Sequence, residues 1–204
     1  MALGRPLTRP ERANLCNYMA LLMKWQRTHR LVASDDPGWI AEHLIADSLL
    51  FLKVFPVGIR TVIDIGSGAG FPGIPLKIAR PDLTVTRVES RQRRASFLRA
   101  VVRELGLVEV QIVDQRLEAI SLMSTGADVA TMRCAGEPRR LLATALRLVR
   151  PGGIVVASGP PAEELSGERP DRRYSSHARE PAFERVLVPG LYGRARQFLV
   201  ARKS

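Results

Sequence analysis

The 204-residue sequence contains only two cysteines, Cys16 and Cys134. They lie far apart and without metal-ligand spacing, so neither a disulfide framework nor a cysteine zinc site is expected, and both read as ordinary reduced thiols. No apolar run approaches the roughly 20 residues that a spanning helix needs. The N-terminus, which carries Arg5, has no following apolar run of signal-peptide type. A soluble, cytoplasmic protein with no membrane contact and no metal is the expectation. Internal repeats are absent as well. Acidic residues are scarce beside basic ones, 20 against 31.

What is present describes a folded chain. Hydrophobic residues at 46% and charged residues at 25% sit at globular averages, which excludes wholesale disorder, a collagen-like repeat or a coiled coil. The length suits one sizeable domain, alone or with a small appendage, rather than two full domains. The charge balance of +11 favours polyanionic partners, nucleic acid among them. Most of the cations are arginines, which fit phosphates and base edges bidentately, although a lineage that prefers Arg to Lys would look the same.

From Arg9 to about Leu31, apolar residues fall at Leu15, Tyr18, Met19, Leu22 and Trp25, the spacing of an amphipathic helix. Ser34-Asp35-Asp36-Pro37 reads as a cap with proline in the first turn, opening a second helix through Trp39, His43, Leu44, Asp47, Leu50 and Phe51. Pro56 and Gly58 close it. Residues 1–58 thus form a helical appendage expected to pack on the core, and residues 59–204 form that core. Short apolar runs follow at Thr61 to Ile65, Leu83 to Val88, Val110 to Val113, Val129 to Met132 and Ile154 to Ala157. Helical patterns separate them at Ile74 to Ala79, Arg93 to Leu105 and Pro138 to Val149. This alternation predicts an α/β fold, a doubly wound, mostly parallel sheet with helices on both faces. Residues 159–182 are rich in Pro, Gly, Glu and Arg and read as an exposed connection. Phe183 to Val188 and Gln197 to Val200 then predict an antiparallel strand pair that ends the sheet.

The sharpest feature is Asp64-Ile65-Gly66-Ser67-Gly68-Ala69-Gly70-Phe71-Pro72-Gly73-Ile74-Pro75. A buried strand runs into a turn of closely spaced glycines and then into a helix, and such a turn lets the backbone approach a nucleotide-like cofactor. Glu89, at the end of the second strand, is placed to accept hydrogen bonds from two ribose hydroxyls. A dinucleotide fingerprint wants a small residue where the helix packs, and position 71 is Phe, which disfavours pyrophosphate. Gly66-x-Gly68-x-Gly70 after Asp64 instead resembles the first motif of class I (Rossmann-like) S-adenosylmethionine methyltransferases.

With Glu89-Ser90-x-x-Arg93-Arg94-x-x-Phe97-Leu98, the glycine segment resembles the RsmG (GidB) family of bacterial methyltransferases, which act on N7 of a guanosine in 16S ribosomal RNA. Trp25 matches the Trp that ends the family's first helix. His43-x-x-x-Asp47-Ser48-Leu49 resembles its His-x-x-Asp-Ser-Leu segment, with one residue more between His and Asp. Arg116-Leu117-Glu118, Met132-Arg133-Cys134-Ala135 and the closing Arg185 to Lys203 also agree, so the likeness covers nearly the whole chain. It implies that S-adenosylmethionine is the cofactor, that Gly66 and Phe71 contact it, that Leu117 and Glu118 border its adenine, and that Arg133 lies by the site. Asp64, Gly68 and Glu89 complete the expected cofactor set. The partner it implies is 16S ribosomal RNA or the small ribosomal subunit, and a monomer is the default. Two departures concern the substrate side: Arg30-Leu31-Val32 stands where the family usually reads Asn-Leu-Thr, and Ser158-Gly159 where it reads Lys-Gly.

Guanine N7 has a free lone pair, so no general base and no catalytic dyad are expected. Arg133, permanently charged, can position the base but not deprotonate it, and a structural ion pair is an equal reading. His43 and the tryptophans Trp25 and Trp39 read first as packing residues. Arg91, Arg93, Arg94, Arg99 and Arg103 recur along one helix and collectively suit phosphates. The alternatives are a diverged relative acting on another RNA or a small molecule, and a nicotinamide-dependent oxidoreductase on a similar sheet.

Overall fold

The computed structural model describes residues 4–120, 126–133, 138–161, 183–190 and 195–204. Of the connection expected at 159–182, residues 159–161 instead continue the fifth strand as it pairs with the last, and 162–182, like Cys134, lie outside the described residues. Seven strands form one sheet in the order β3-β2-β1-β4-β5-β7-β6. They are β1 Thr61–Ile65, β2 Thr84–Val88, β3 Val110–Val113, β4 Ala127–Arg133, β5 Val149–Pro161, β6 Glu184–Pro189 and β7 Ala195–Arg202. The first five run parallel, and β7 is antiparallel to both β5 and β6. The central strands are short, β-branched and buried on both faces, which is why they read as continuous apolar runs. Parallel strand ends converge at one edge of the sheet, and β1 there leads into the glycine loop.

The start of β4 is fastened to the start of β1 by one carboxylate. Asp128 accepts from the amides of Arg60 (2.7 Å) and Thr61 (2.9 Å), from the Thr61 hydroxyl (3.0 Å) and from Arg150 Nε (2.7 Å). Burial pushes its carboxyl up, but these donors outweigh burial and hold it at about 2.

Helix α1, Arg9–His29, opens with a capping box: the Thr8 hydroxyl accepts from the Glu11 amide and the Glu11 carboxylate from the Thr8 amide. Arg5 closes on the same carboxylate at 2.6 Å and, with that hydrogen bond as the main cause, holds Glu11 at about 2. The helix ends at Arg30, whose backbone is left-handed (φ 44°) and whose amide donates to the Gln26 carbonyl. The Gln26 amide group ties down the exit, accepting from Leu31 N (2.6 Å) and Val32 N (3.0 Å) and donating to the Val32 carbonyl (2.8 Å).

The second helix, expected as one regular piece, is instead four consecutive ones: α2 Pro37–Ile40, a π-helical turn Ala41–Ala46, α3 Asp47–Leu49 and a 3₁₀ turn Leu50–Lys53. Then come α4 Gly73–Ala79, α5 Gln92–Glu104, α6 Leu117–Ile120 and α7 Pro138–Leu148. Leu15, Tyr18, Leu22 and Ile40 from the N-terminal helices share one core with Ile74, Phe97 and Leu98 of α4 and α5. Each such buried side chain contributes on the order of 1.5–3 kcal/mol. On the opposite face, Ile63, Ala130 and Met132 meet Leu142, Ala145 and Leu148 of α7. Among the described residues no helix is long and apolar enough to cross a membrane.

Candidate active site

The glycine loop is held from behind by a buried polar cluster. Asp64, fully buried at the end of β1, accepts from Arg87 Nη2 (3.0 Å) and the Gly73 amide (3.1 Å) with one oxygen, and from the Thr131 hydroxyl (3.0 Å) with the other. These contacts join β1, β2, β4 and the first residue of α4. The approach requires glycine at 73, since a Cβ there would lie 2.6 Å from Asp64 Oδ2. Asp64, expected to face the cofactor and balance charge near the acceptor, therefore stands behind the loop with its charge compensated by Arg87. Arg87 is itself fully buried, and its Nε and Nη1 have no partner among the described residues. Burial pulls its pKa down while Asp64 pulls it back up.

Helix α1 reaches the same loop. Tyr18, with no exposed surface, donates its hydroxyl to the Ala69 carbonyl at 2.7 Å, and its ring lies 5.5 Å from that of Phe71. Burial raises the pKa of this phenol strongly, so it remains a donor. Gly70, at φ +116°, passes beneath it so closely that a Cβ would sit 2.5 Å from the hydroxyl oxygen.

Five of the loop amides are occupied within the protein. Gly66 N and Ser67 N donate to the Val88 carbonyl, Gly68 N to Glu89 Oε2 (2.9 Å), and Gly70 N and Phe71 N to the Ser67 carbonyl. A diphosphate at such a turn needs free amide donors and no adjacent carboxylate. With most of the donors taken and Glu89 beside them, the loop is a poor seat for a dinucleotide cofactor.

In front of the loop opens a cleft of about 250 Å³, whose walls include Gly66, Glu89, Ser90, Gln115, Leu117 and Leu141. Of the sequence-predicted residues, Gly66, Glu89 and Leu117 line it, while Asp64, Gly68, Phe71 and Arg133 do not. The Glu118 side chain lies outside the described residues. Glu89 is 5% exposed; one oxygen holds the Gly68 amide and the other the Arg91 amide (2.8 Å), which leaves each oxygen acceptor capacity toward the cleft. Leu117 and Leu141 supply apolar surface at the far end.

Phe71 and Arg133 meet on another side. The Arg133 guanidinium, at the end of β4, stands 5.9 Å from the Phe71 ring centroid. It donates to the carbonyls of His43 and Leu44 (3.0 Å to the latter) and to the Ser48 hydroxyl (3.2 Å), and lies 3.9 Å from Asp47. Arg133 thus gathers main-chain carbonyls from the π-helical turn, and Asp47 also pairs with Arg196 of β7. Ser158 lies beside Arg133 in the β4–β5 ladder.

His43 stacks on Trp39 (4.8 Å between centroids, 10° between planes), and Trp25 packs against Phe97. Along the basic helix, Arg99 pairs with Asp114 and Arg103 with Glu104, and Arg94 approaches Glu89. Arg91 and Arg93 are exposed, and neither is among the described lining residues of the cleft. The sequence reading assigned no site role to Tyr18, Arg87, Thr131, Gln115 or Leu141. Only Arg87 gave a signal, as a charge inside an apolar strand.

Comparison with known proteins agrees with this geometry. A "SAM dependent methyltransferase" from Aquifex aeolicus has a similar structure, with a TM-score of 0.59 at 19% identity over 90% of this chain and 98% of that one. The likeness shows the fold. The chain is 37% identical to "Ribosomal RNA small subunit methyltransferase G" of Ralstonia nicotianae, over 93% of this chain and 86% of that protein. To the protein of the same name in Neisseria meningitidis it is 33% identical, over 93% and 88%. Residues 11–186 match the family described as rRNA small subunit methyltransferase G, and the chain belongs to that family.

Proposed function

We propose that the protein transfers a methyl group from S-adenosylmethionine to N7 of a guanosine in small-subunit (16S) ribosomal RNA. The observation that carries this reading is the cleft, where the glycine turn, the buried Glu89 carboxylate and two leucines converge in a chain of this family. Gly66 would lie along the methionine portion, Glu89 would accept from ribose hydroxyls, and Leu117 with Leu141 would flank the adenine, bordered by Glu118. Phe71 and Gly68 shape the turn, and Asp64 fixes it from behind.

When bound, the cofactor supplies an electrophilic methyl group on a sulfonium, which becomes a neutral thioether as the purine becomes cationic. The acceptor nitrogen presents its lone pair without losing a proton, so the chain has alignment and water exclusion to provide rather than a base. Well-oriented reactions of this kind reach effective molarities of about 10⁵ M or more. Arg133 serves as a positioning residue: it holds the π-helical turn against the Phe71 side of the site. Asp47 is shared between Arg133 and Arg196 and Asp64 is compensated by Arg87, so Glu89 and the RNA phosphates remain to balance the cationic product. On this reading the protein works as a monomer in the cytoplasm.

The test is incubation with methyl-labelled cofactor and undermethylated small subunits, followed by borohydride and aniline cleavage, which cuts RNA at 7-methylguanosine. A single labelled cleavage site is expected in the wild type, and none with Gly66→Val, which puts a β-branched side chain at φ +67°. Label on another atom, on a small molecule or nowhere would sink the assignment.

A further inference from the structure

A second, larger hollow shares no lining residue with the cofactor cleft among the described residues. It measures about 700 Å³ and lies between the entry of α1, the 46–53 segment and strand β6. We infer that this groove holds an unpaired stretch of the RNA substrate, an inference that rests on the ribosomal RNA reading above.

Its chemistry is that of an apolar trough with a cationic rim. Leu49 and Leu187 are among its walls, and Leu187 is 63% exposed. Among the described residues, its charged lining is cationic: Arg5, Arg12 and Lys53. Glu11 neutralises Arg5, whereas Arg12 and Lys53 have no carboxylate partner among the described residues. Ala46 is among its lining residues and adjoins Asp47, which lies between Arg133 and Arg196. The groove therefore comes within one residue of the Asp47–Arg133 contact.

Strand β6 is the last of the sheet, and its outer edge has no strand neighbour among the described residues. Base faces would lie on the leucines, base edges would meet β6 main-chain groups, and phosphates would pair with Arg12 and Lys53. An extended acidic peptide could use the same edge. A polyanion is favoured because the chain carries +11 overall and because Arg12 and Lys53 on this groove lack carboxylate partners among the described residues.

Full-length protein would be titrated with fluorescein-labelled oligouridylate, with unmodified small-subunit RNA and with a polyglutamate peptide, at about 50 to 200 mM salt. Lys53→Glu and Leu187→Glu are both surface changes. Each should weaken both RNAs about ten-fold while leaving cofactor affinity unchanged, and Lys53→Glu should lower the logarithmic salt slope by about 0.7 or more. RNA affinities within two-fold of wild type in both variants overturn the groove assignment. So does loss of peptide binding with RNA binding intact. A wild type that binds neither RNA overturns the ribosomal RNA reading itself, and the groove with it.

Discussion

The hydroxyl of Tyr18 and the carbonyl of Ala69 are hydrogen-bonded at 2.7 Å, across 51 residues of sequence and in the absence of solvent. One side chain on α1 thereby sets the path of the glycine loop. Tyr18→Phe keeps the ring against Phe71 but leaves a buried carbonyl without its donor, at a cost of about 1–3 kcal/mol. The expected result is a fold that melts earlier and binds S-adenosylmethionine several-fold more weakly, by calorimetry. Lower melting with unchanged cofactor affinity would show that the bond serves stability only.

Glu89→Gln retains an oxygen for the Gly68 amide but removes the charge that faces the cleft. Cofactor affinity should fall by about ten-fold or more, in keeping with a charge-assisted hydrogen bond being replaced by a neutral one. The Gln nitrogen cannot accept from the Arg91 amide as Glu89 does, so the melting temperature without cofactor should fall as well, and the affinity is compared at a temperature where both proteins are folded. Undiminished affinity would move the ribose contact elsewhere.

Arg30 occupies a left-handed backbone position at the end of α1, where an ordinary side chain is strained by about 1–2 kcal/mol. Asn tolerates that region better. Arg30→Asn should stabilise the protein by about 0.5–1 kcal/mol, which for this size raises the melting point by a few degrees. A lower melting point would mean that the arginine makes contacts worth more than the strain.

Acid should unfold the chain through two carboxylates. Glu11 and Asp128 are each held at about 2, against ordinary values of 4.5 and 3.8. A carboxyl depressed by folding stabilises the native state above its unfolded pKa, and that contribution disappears as pH drops through the folded value. Stability to urea should therefore decline from about pH 5 down to about pH 2, more shallowly in Asp128→Asn. An identical slope in the variant would remove Asp128 from the account.

The sheet was legible because each central strand is a short β-branched run between turns, and a parallel sheet leaves both faces of such a run buried. The final strand pair was legible from two apolar runs flanking the Pro189-Gly190 turn signal, although β7 begins two residues earlier than expected, at Ala195. The site was readable where backbone dictates sequence, at Gly66 and at the carboxylate ending β2. It was not readable where partners lie far apart in the chain. Nothing local says that Asp64 will face Arg87 and Thr131 rather than the cleft. Arg87 breaks the expectation that arginine is never fully buried unless well paired. Leu141 enters the cleft only because α7 folds back over β4. The second helix looked continuous because π-helical and α-helical turns differ in hydrogen bonding rather than in composition.

That irregular turn bears on how the chain tolerates change in length. An i→i+5 turn takes up one residue more than an i→i+4 turn, and the turn at Ala41–Ala46 falls where this sequence has one residue more than the family's His-x-x-Asp-Ser-Leu spacing. The surplus is absorbed as a local loosening of the coil, so Asp47 and Ser48 still reach Arg133. A helix so built acts as a slack coupling, in which an insertion is accommodated at the joint and never transmitted to the parts it connects.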